Sequence, residues 1–176
     1  MRAPRIETKR LILRGHRRED FEAYAHMWSR TVLGLRPGLK PLSREEAWGK
    51  FARGAGFWVL NGRGTWLAFD KVSGAFLGDV GASDFEREIV PPIGHMPEFS
   101  WVFDPDARGK GYATEAVTAV TEWADQNLSE PEFCCIIDRE NTPSIALAER
   151  CGFAPTADTE YLGSVVTIFK RPRRGA

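Results

Sequence analysis

The sequence predicts one mixed α/β domain over residues 1–176, with a central, mostly antiparallel sheet flanked by helices. A chain of 176 residues suits a single core and buries roughly 70% of its unfolded surface on folding. Apolar residues at 43% and charged residues at 27% are globular proportions, which sets aside disordered, collagen-like and coiled-coil architectures. Short apolar runs of strand length alternate with apolar stripes at helical spacing, and two pairs of runs are joined by turn-forming residues into hairpins.

Taken in order, residues 8–14 are short and rich in Leu and Ile, which makes a first strand. Over residues 18–30, Phe21, Tyr24, Ala25 and Trp28 recur at helical spacing behind Glu19, Asp20 and Glu22, an acidic first turn that suits the helix dipole. Gly34, Pro37, Gly38 and Pro41 mark a loop. Ser43-Arg-Glu-Glu46 then has capping-box spacing and opens a second helix carrying Ala47, Trp48 and Phe51. Residues 56–60 are either another helical turn or a strand, because Phe51, Ala55 and Trp58 keep helical spacing while Gly54 and Gly56 weaken it. Residues 65–69 and 75–80 flank a turn-rich connection and form a hairpin. The alternating stretch Glu98–Phe103 is a strand that stops at Asp104-Pro105.

The longest apolar stripe follows, with Ala113, Ala116, Val117, Val120, Trp123, Ala124 and Leu128 on one helical face. Residues 133–137 are wholly apolar, as in a strand buried on both faces. A helix over 144–151 has Thr142 as its cap, Pro143 at its first position and Gly152 past its end. Residues 159–161 and 165–169 surround Leu162-Gly163-Ser164 in a second hairpin, and residues 171–174 close as a basic tail.

Twenty-four Lys and Arg balance 24 Asp and Glu, so no net field favours nucleic acid or an anionic membrane, and a small molecule is the expected partner. Three cysteines are an odd number, and the adjacent Cys134 and Cys135 point to opposite faces of a strand, which argues against a disulfide framework. His16, His26 and His95 lie apart without ligand spacing, so no metal is expected. No run approaches the roughly 18 apolar residues of a membrane span, and no apolar stretch follows the basic N-terminal residues, so the expected compartment is the cytoplasm. Seven basic residues lie between Arg2 and Arg18 against Glu7 alone, and they read as a solvated surface.

The stretch Arg108-Gly109-Lys110-Gly111-Tyr112-Ala113-Thr114 sits between a strand and a long helix. Glycines admit close approach of a ligand, and the orphan N–H groups and dipole of a helix N-terminus favour an anion, so this stretch should bind phosphate. A Walker loop is excluded because Lys110 is followed by Gly111, and Asp104 stands where that motif requires its first glycine. A dinucleotide fingerprint fits Gly109 and Gly111 but meets Thr114 at its third small position.

Arg108-x-x-Gly111-x-Ala113 resembles the acyl-coenzyme A loop of the GNAT superfamily of N-acetyltransferases. Thr8-x-Arg10-Leu-x-Leu-Arg14 with Asp20, and Asn141-Thr-Pro-Ser144-Ile-Ala-Leu-Ala-Glu-Arg-Cys-Gly-Phe153, are similar to segments of its RimJ/RimL-like branch, the ribosomal-protein alanine acetyltransferases. The likeness is looser over residues 40–90, where such proteins shape the acceptor pocket. The resemblance implies the GNAT fold, acetyl-CoA as cosubstrate without a metal, and direct transfer of acetyl to a primary amine of a small molecule or a protein N-terminus. It also implies main-chain contacts to the pantetheine arm from Trp101, Val102 and Phe103, whose side chains are expected in the core, and a further contact from Asn141.

For the base, Glu98 begins the strand beside the loop and is the first choice, with Asp84 and Glu86 as runners-up and a strand-end carboxylate in solvent or in an ion pair as its alternative role. Ser144 is the candidate acid, with an ordinary first-turn serine as the alternative. Tyr112 and Tyr161 do not occupy an evident acid position. The cysteines lack an activator and belong to the core, so no acyl-enzyme is expected. Trp48, Trp58, Trp66 and Trp101 either line an acceptor pocket or pack. The competing readings are a catalytically inactive coenzyme A binding or sensing module and a ribosome-associated modifier, and a homodimer is the candidate assembly.

Overall fold

The computed structural model describes residues 2–31 and 40–175, so Gly34, Pro37 and Gly38 of the expected loop lie outside the described residues. Eight strands form one sheet in the order β1-β2-β3-β4-β5-β6-β8-β7. They are β1 (Ile6–Glu7), β2 (Leu11–Arg14), β3 (Thr65–Asp70), β4 (Phe76–Ser83), β5 (Glu98–Phe103), β6 (Glu132–Asp138), β7 (Ala154–Tyr161) and β8 (Ser164–Pro172). The helices are α1 (Phe21–Arg30), α2 (Arg44–Leu60), α3 (Tyr112–Asn127) and α4 (Thr142–Arg150). Neighbouring strands are antiparallel throughout, except for the parallel pair β5 and β6.

The two-residue period of the strands sorts side chains onto two covered faces. Trp66 and Ala68 of β3 join Leu11, Leu13, Val80 and Ala82 against Ala116, Val117 and Val120 of α3. Leu67, between them in sequence, meets Phe21, Tyr24 and Trp28 of α1 and Phe51 of α2 on the other face. Cys134 and Cys135 divide in the same way, each buried in a different cluster. Trp58 and Trp66 stand edge to face at 4.5 Å with Trp123 beside them. Their indole nitrogens donate to the carbonyls of Thr65 and Pro4. Trp58 and Trp66 therefore belong to the core, and Trp48 lies on the surface against Phe51.

Several boundaries differ from the sequence reading for local reasons. The expected first strand is split, because Thr8 accepts the Leu11 N–H on its hydroxyl and closes a turn between β1 and β2. The Ser43 and Glu46 capping box forms, and α2 runs unbroken through Leu60, which resolves residues 56–60 as helix. Asn141, not Thr142, caps α4: its carboxamide accepts the Ser144 N–H at 3.3 Å, so the helix begins one residue earlier than a Thr142 cap would set it and Pro143 sits at the second helical position. The last hairpin turns on two residues, Leu162 at φ 50° and Gly163 at φ 76°, the pair of positive angles that a tight hairpin turn requires.

The expected basic tail is corrected at Arg171. This residue lies in β8 and is 3% exposed, held by Asp125 of α3 through two bonds of 2.8 and 2.6 Å. Burial of the guanidinium is tolerable because its charge is paired in a bidentate geometry. Asp125→Ala would leave that charge buried and unpaired, so a loss of about 3 kcal/mol is expected in urea unfolding. A loss below about 1 kcal/mol, the range of exposed pairs, would contradict a structural role for the pair.

Candidate functional site

β5 and β6 share a single paired position, Glu98 with Cys134. Beyond it the strands part, and a cavity of about 480 Å³ is lined by residues 99–102 from β5 and 135–138 from β6. Because the two strands are parallel, the connections leaving their C-terminal ends carry the N-termini of α3 and α4 to the same end of the parted pair. Ligand sites in sheets of this kind sit outside such carboxyl ends, where the backbone has no strand partner. The indole N–H of Trp101 crosses from β5 to donate to the Ser144 hydroxyl oxygen in the first turn of α4, at 3.4 Å.

At the start of α3, Gly109 and Gly111 adopt φ values of 72° and 77°, where a side chain would be strained. The first helical bond runs from the Glu115 N–H to the Gly111 carbonyl, so the N–H groups of Tyr112, Ala113 and Thr114 precede any acceptor within the helix. The opening of the chain clamps this turn. Glu115 accepts the Thr8 hydroxyl at 2.5 Å and the Arg10 backbone N–H and Nε at 2.7 Å each. Arg10 also donates to the Lys110 carbonyl at 2.8 Å and lies over the Tyr112 ring. The side chains of Arg108 and Lys110 turn back to the carbonyls of Phe103 and Asp106, which leaves the backbone of the loop as its outward face. The sequence reading singled out Thr8 and Arg10 only as part of a motif. Their task of holding the loop depends on β2 and α3 lying together, which no local pattern reveals.

Glu98 is 2% exposed at the apex where the strands part. Its carboxylate accepts Arg87 Nε and Nη2 at 2.5 and 2.6 Å, and that guanidinium lies between the rings of Phe85 and Tyr161. Burial pushes the Glu98 pKa above the ordinary glutamate value, and Arg87 opposes the rise. A carboxyl held in this way is a stronger base than one in water and stays fixed in place. The ion-pair alternative and the cavity position are therefore both realised in one residue.

Of the expected site residues, Glu98, Trp101, Val102, Asn141 and Ser144 line one cavity. Phe103 and the loop over residues 108–114 lie outside that lining, and Phe103 is core. The Trp101 and Val102 side chains, expected in the core, pack against its two clusters and also border the cavity, because this stretch of β5 lacks a neighbour on its β6 side. Asp84 and Glu86 are not in the lining; both approach His95 on a loop, with ligand atoms within 4.8 Å of one another, and Glu86 and His95 are exposed. The lining adds Tyr161, which the sequence places in the last hairpin without an evident role, and the α2 residues Lys50 and Arg53, which no sequence pattern singles out. Burial pushes the Cys134 thiol up to about 12 and raises Cys135 and Cys151 as well, so none offers a thiolate at neutral pH.

A cleft between parted parallel strands is thus flanked by two helix N-termini, whose dipoles favour an anion, and backed by a buried carboxylate. The chain belongs to the acetyltransferase (GNAT) domain family, which it matches over residues 10–154. It is similar to a Bordetella pertussis protein assigned to the GnaT-family acetyltransferases, with 27% identity, 96% of this chain and 99% of that chain covered, and a TM-score of 0.84. RimL, a ribosomal L7/L12 alpha-N-protein acetyltransferase in complex with coenzyme A, shares the fold at a TM-score of 0.75 with 18% identity, over 96% of this chain and 98% of that one. The N-acetyltransferase 9-like protein of Caenorhabditis briggsae is 41% identical over 49 residues, which are 28% of this chain and 25% of that protein. The match thus spans about a quarter of that relative's length.

Gly111→Val should weaken coenzyme A binding by at least about tenfold in calorimetry, because the new side chain strains a φ of 77° and its Cβ would lie 3.3 Å from Arg10 Nη2. A folded variant with unchanged affinity would remove the loop from the binding site.

Proposed function

We propose that residues 1–176 act as one N-acetyltransferase domain that transfers the acetyl group of acetyl-CoA to a primary amine of a small molecule or a protein N-terminus. The carrying observation is that Glu98, at the apex of the parted strands, shares a cavity with Ser144 at the N-terminus of α4. Membership of the family supports the reaction type, and the coenzyme in the RimL structure supports the cosubstrate. Three free, buried cysteines fit a reducing compartment, so we place the protein in the cytoplasm.

When bound, acetyl-CoA supplies an activated acyl group with a thiolate as leaving group. The backbone of residues 109–114 holds its pyrophosphate against the dipole of α3. Trp101, Val102 and Asn141 border the pantetheine arm. The amine attacks the thioester carbonyl as the carbon–sulfur bond breaks and the carbon–nitrogen bond forms. Glu98 takes the proton that the amine loses, directly or through one water, while Arg87 keeps the carboxylate fixed. Ser144 gives a proton to the departing sulfur and takes one back from solvent, so the thiol leaves neutral and the hydroxyl is restored. Its oxygen accepts from Trp101, and the positive end of the α4 dipole favours negative charge developing there. The high thiol pKa values remove the cysteines as acyl carriers, so transfer is direct.

Glu98→Gln should reduce kcat by about 100- to 10,000-fold in a thiol-release assay with little change in coenzyme affinity. Because burial raises the Glu98 pKa, activity should fall as pH drops through a value above that of ordinary glutamate, and this acidic limb should vanish in the variant. An unchanged pH–rate profile would assign the base elsewhere. Intact-mass measurement after incubation with acetyl-CoA alone should show no acetyl adduct; a stoichiometric adduct that amine discharges would contradict direct transfer.

A further inference from the structure

We infer that Lys50, Arg53 and Trp28 form a subsite for an anionic group, a carboxylate, carried by the amine that is acetylated. The inference rests on the acetyltransferase reading and names the class of acceptor. Lys50, Arg53, Gly54 and Phe57 line the cavity at helical spacing along one face of α2, with Trp28 of α1 and Thr65 of β3 beside them. Trp28 is fully buried, and among the described residues neither its indole N–H nor the hydroxyl of Thr65, 5% exposed, has a hydrogen-bond partner of normal geometry. Buried donors are almost always satisfied in folded proteins, so two orphans on one cavity wall point to a ligand that satisfies them.

The charges point to the sign of that ligand. Lys50 Nζ lies 4.8 Å from the centroid of the Trp28 ring. Among the described residues neither Lys50 nor Arg53 has a carboxylate within 4.0 Å, and residues 32–39 contain no Asp or Glu. The two acidic groups nearest in the lining already have partners: Asp79 accepts the Tyr24 hydroxyl at 3.0 Å, and Glu98 is held by Arg87. The lining also holds Asp138, so its cations and carboxylates are equal in number, but of the three cations Arg87 alone has a carboxylate within 4.0 Å among the described residues, which leaves Lys50 and Arg53 without one. Burial depresses the Lys50 pKa while Asp79 opposes the fall, and an entering carboxylate would offset the same desolvation. Lys50 and Glu98 are close enough to influence each other's charge. A carboxylate on Lys50 and an amine at Glu98 thus fit within one small molecule or one acidic chain end.

Acetylation kinetics with matched amines that differ by one carboxylate test the subsite: phenylalanine against phenethylamine, and β-alanine against ethylamine. The native protein should favour the carboxylate member about 10- to 100-fold in kcat/KM, the range for a hydrogen bond to a charged group. Lys50→Met should abolish that preference by raising KM for the carboxylate member of each pair. Arg53→Gln, at an exposed position on α2, should reduce it in part and guards against a Lys50 variant that fails to fold. A preference for uncharged amines or diamines, or a carboxylate preference that survives both substitutions, would overturn the subsite. If coenzyme binds but no amine is acetylated, the acetyltransferase reading fails separately. Calorimetry of the coenzyme-loaded protein with N-acetylphenylalanine and its carboxamide then decides the subsite: carboxylate selectivity lost in the variants supports it, and equal binding overturns it.

Discussion

The lone pairing of Glu98 with Cys134, after which β5 and β6 separate, is the constraint from which the site follows. A strand edge inside a sheet normally gives its N–H and C=O groups to a neighbour, and leaving them unpaired away from water is costly. Here β5 stays paired with β4 along its length and is open only on its β6 side. β6 in turn is tied to β8 along its whole length. Each strand is thereby anchored from outside, so the gap between them persists without loosening the sheet. Parallel direction then brings the two helix N-termini to the open end, and main-chain polarity faces a cleft that side chains only border.

Around that gap, charge is placed where burial makes it effective. The apex carries a carboxylate with its guanidinium partner packed between two rings, so its position is fixed by packing as well as by charge. The loop at α3 is held from the far side of the sheet by Thr8 and Arg10, which spend their hydrogen bonds on Glu115 and the Lys110 carbonyl. Similarly, Arg14 grips Asp20 through both carboxylate oxygens and fixes the start of α1 against β2. These N-terminal pairs position the loop before α3 and the start of α1 from outside the cavity lining, whereas Glu98 and Ser144 are part of that lining.

The elements with a clear period were legible in the sequence. Glu98–Phe103 has the bounds expected of it, and the α3 stripe and the Ser43 cap appear as read. Legibility failed where a residue's role is set by distant chain. Arg171 looked like part of a tail because its partner Asp125 lies on another element. Trp58 and Trp66 could line a pocket or pack, with packing the commoner role of large aromatics, and Trp123 meets both rings in the core. Tyr161 has no evident role from its place in the last hairpin, yet the fold brings its ring against Arg87. Lys50 and Arg53 carry no sequence signal, since the cavity they border exists only after α2 packs against the sheet.

Hydrogen–deuterium exchange with and without coenzyme A tests the dependence on the parted strands most directly, because it reads the backbone N–H groups themselves. Protection should appear together over residues 100–103, 109–114 and 141–144 and be absent from the β7–β8 hairpin, where the ladder is already complete. Coenzyme binding that protects none of these three segments, or protects another surface instead, would contradict a site built on the separation of β5 and β6.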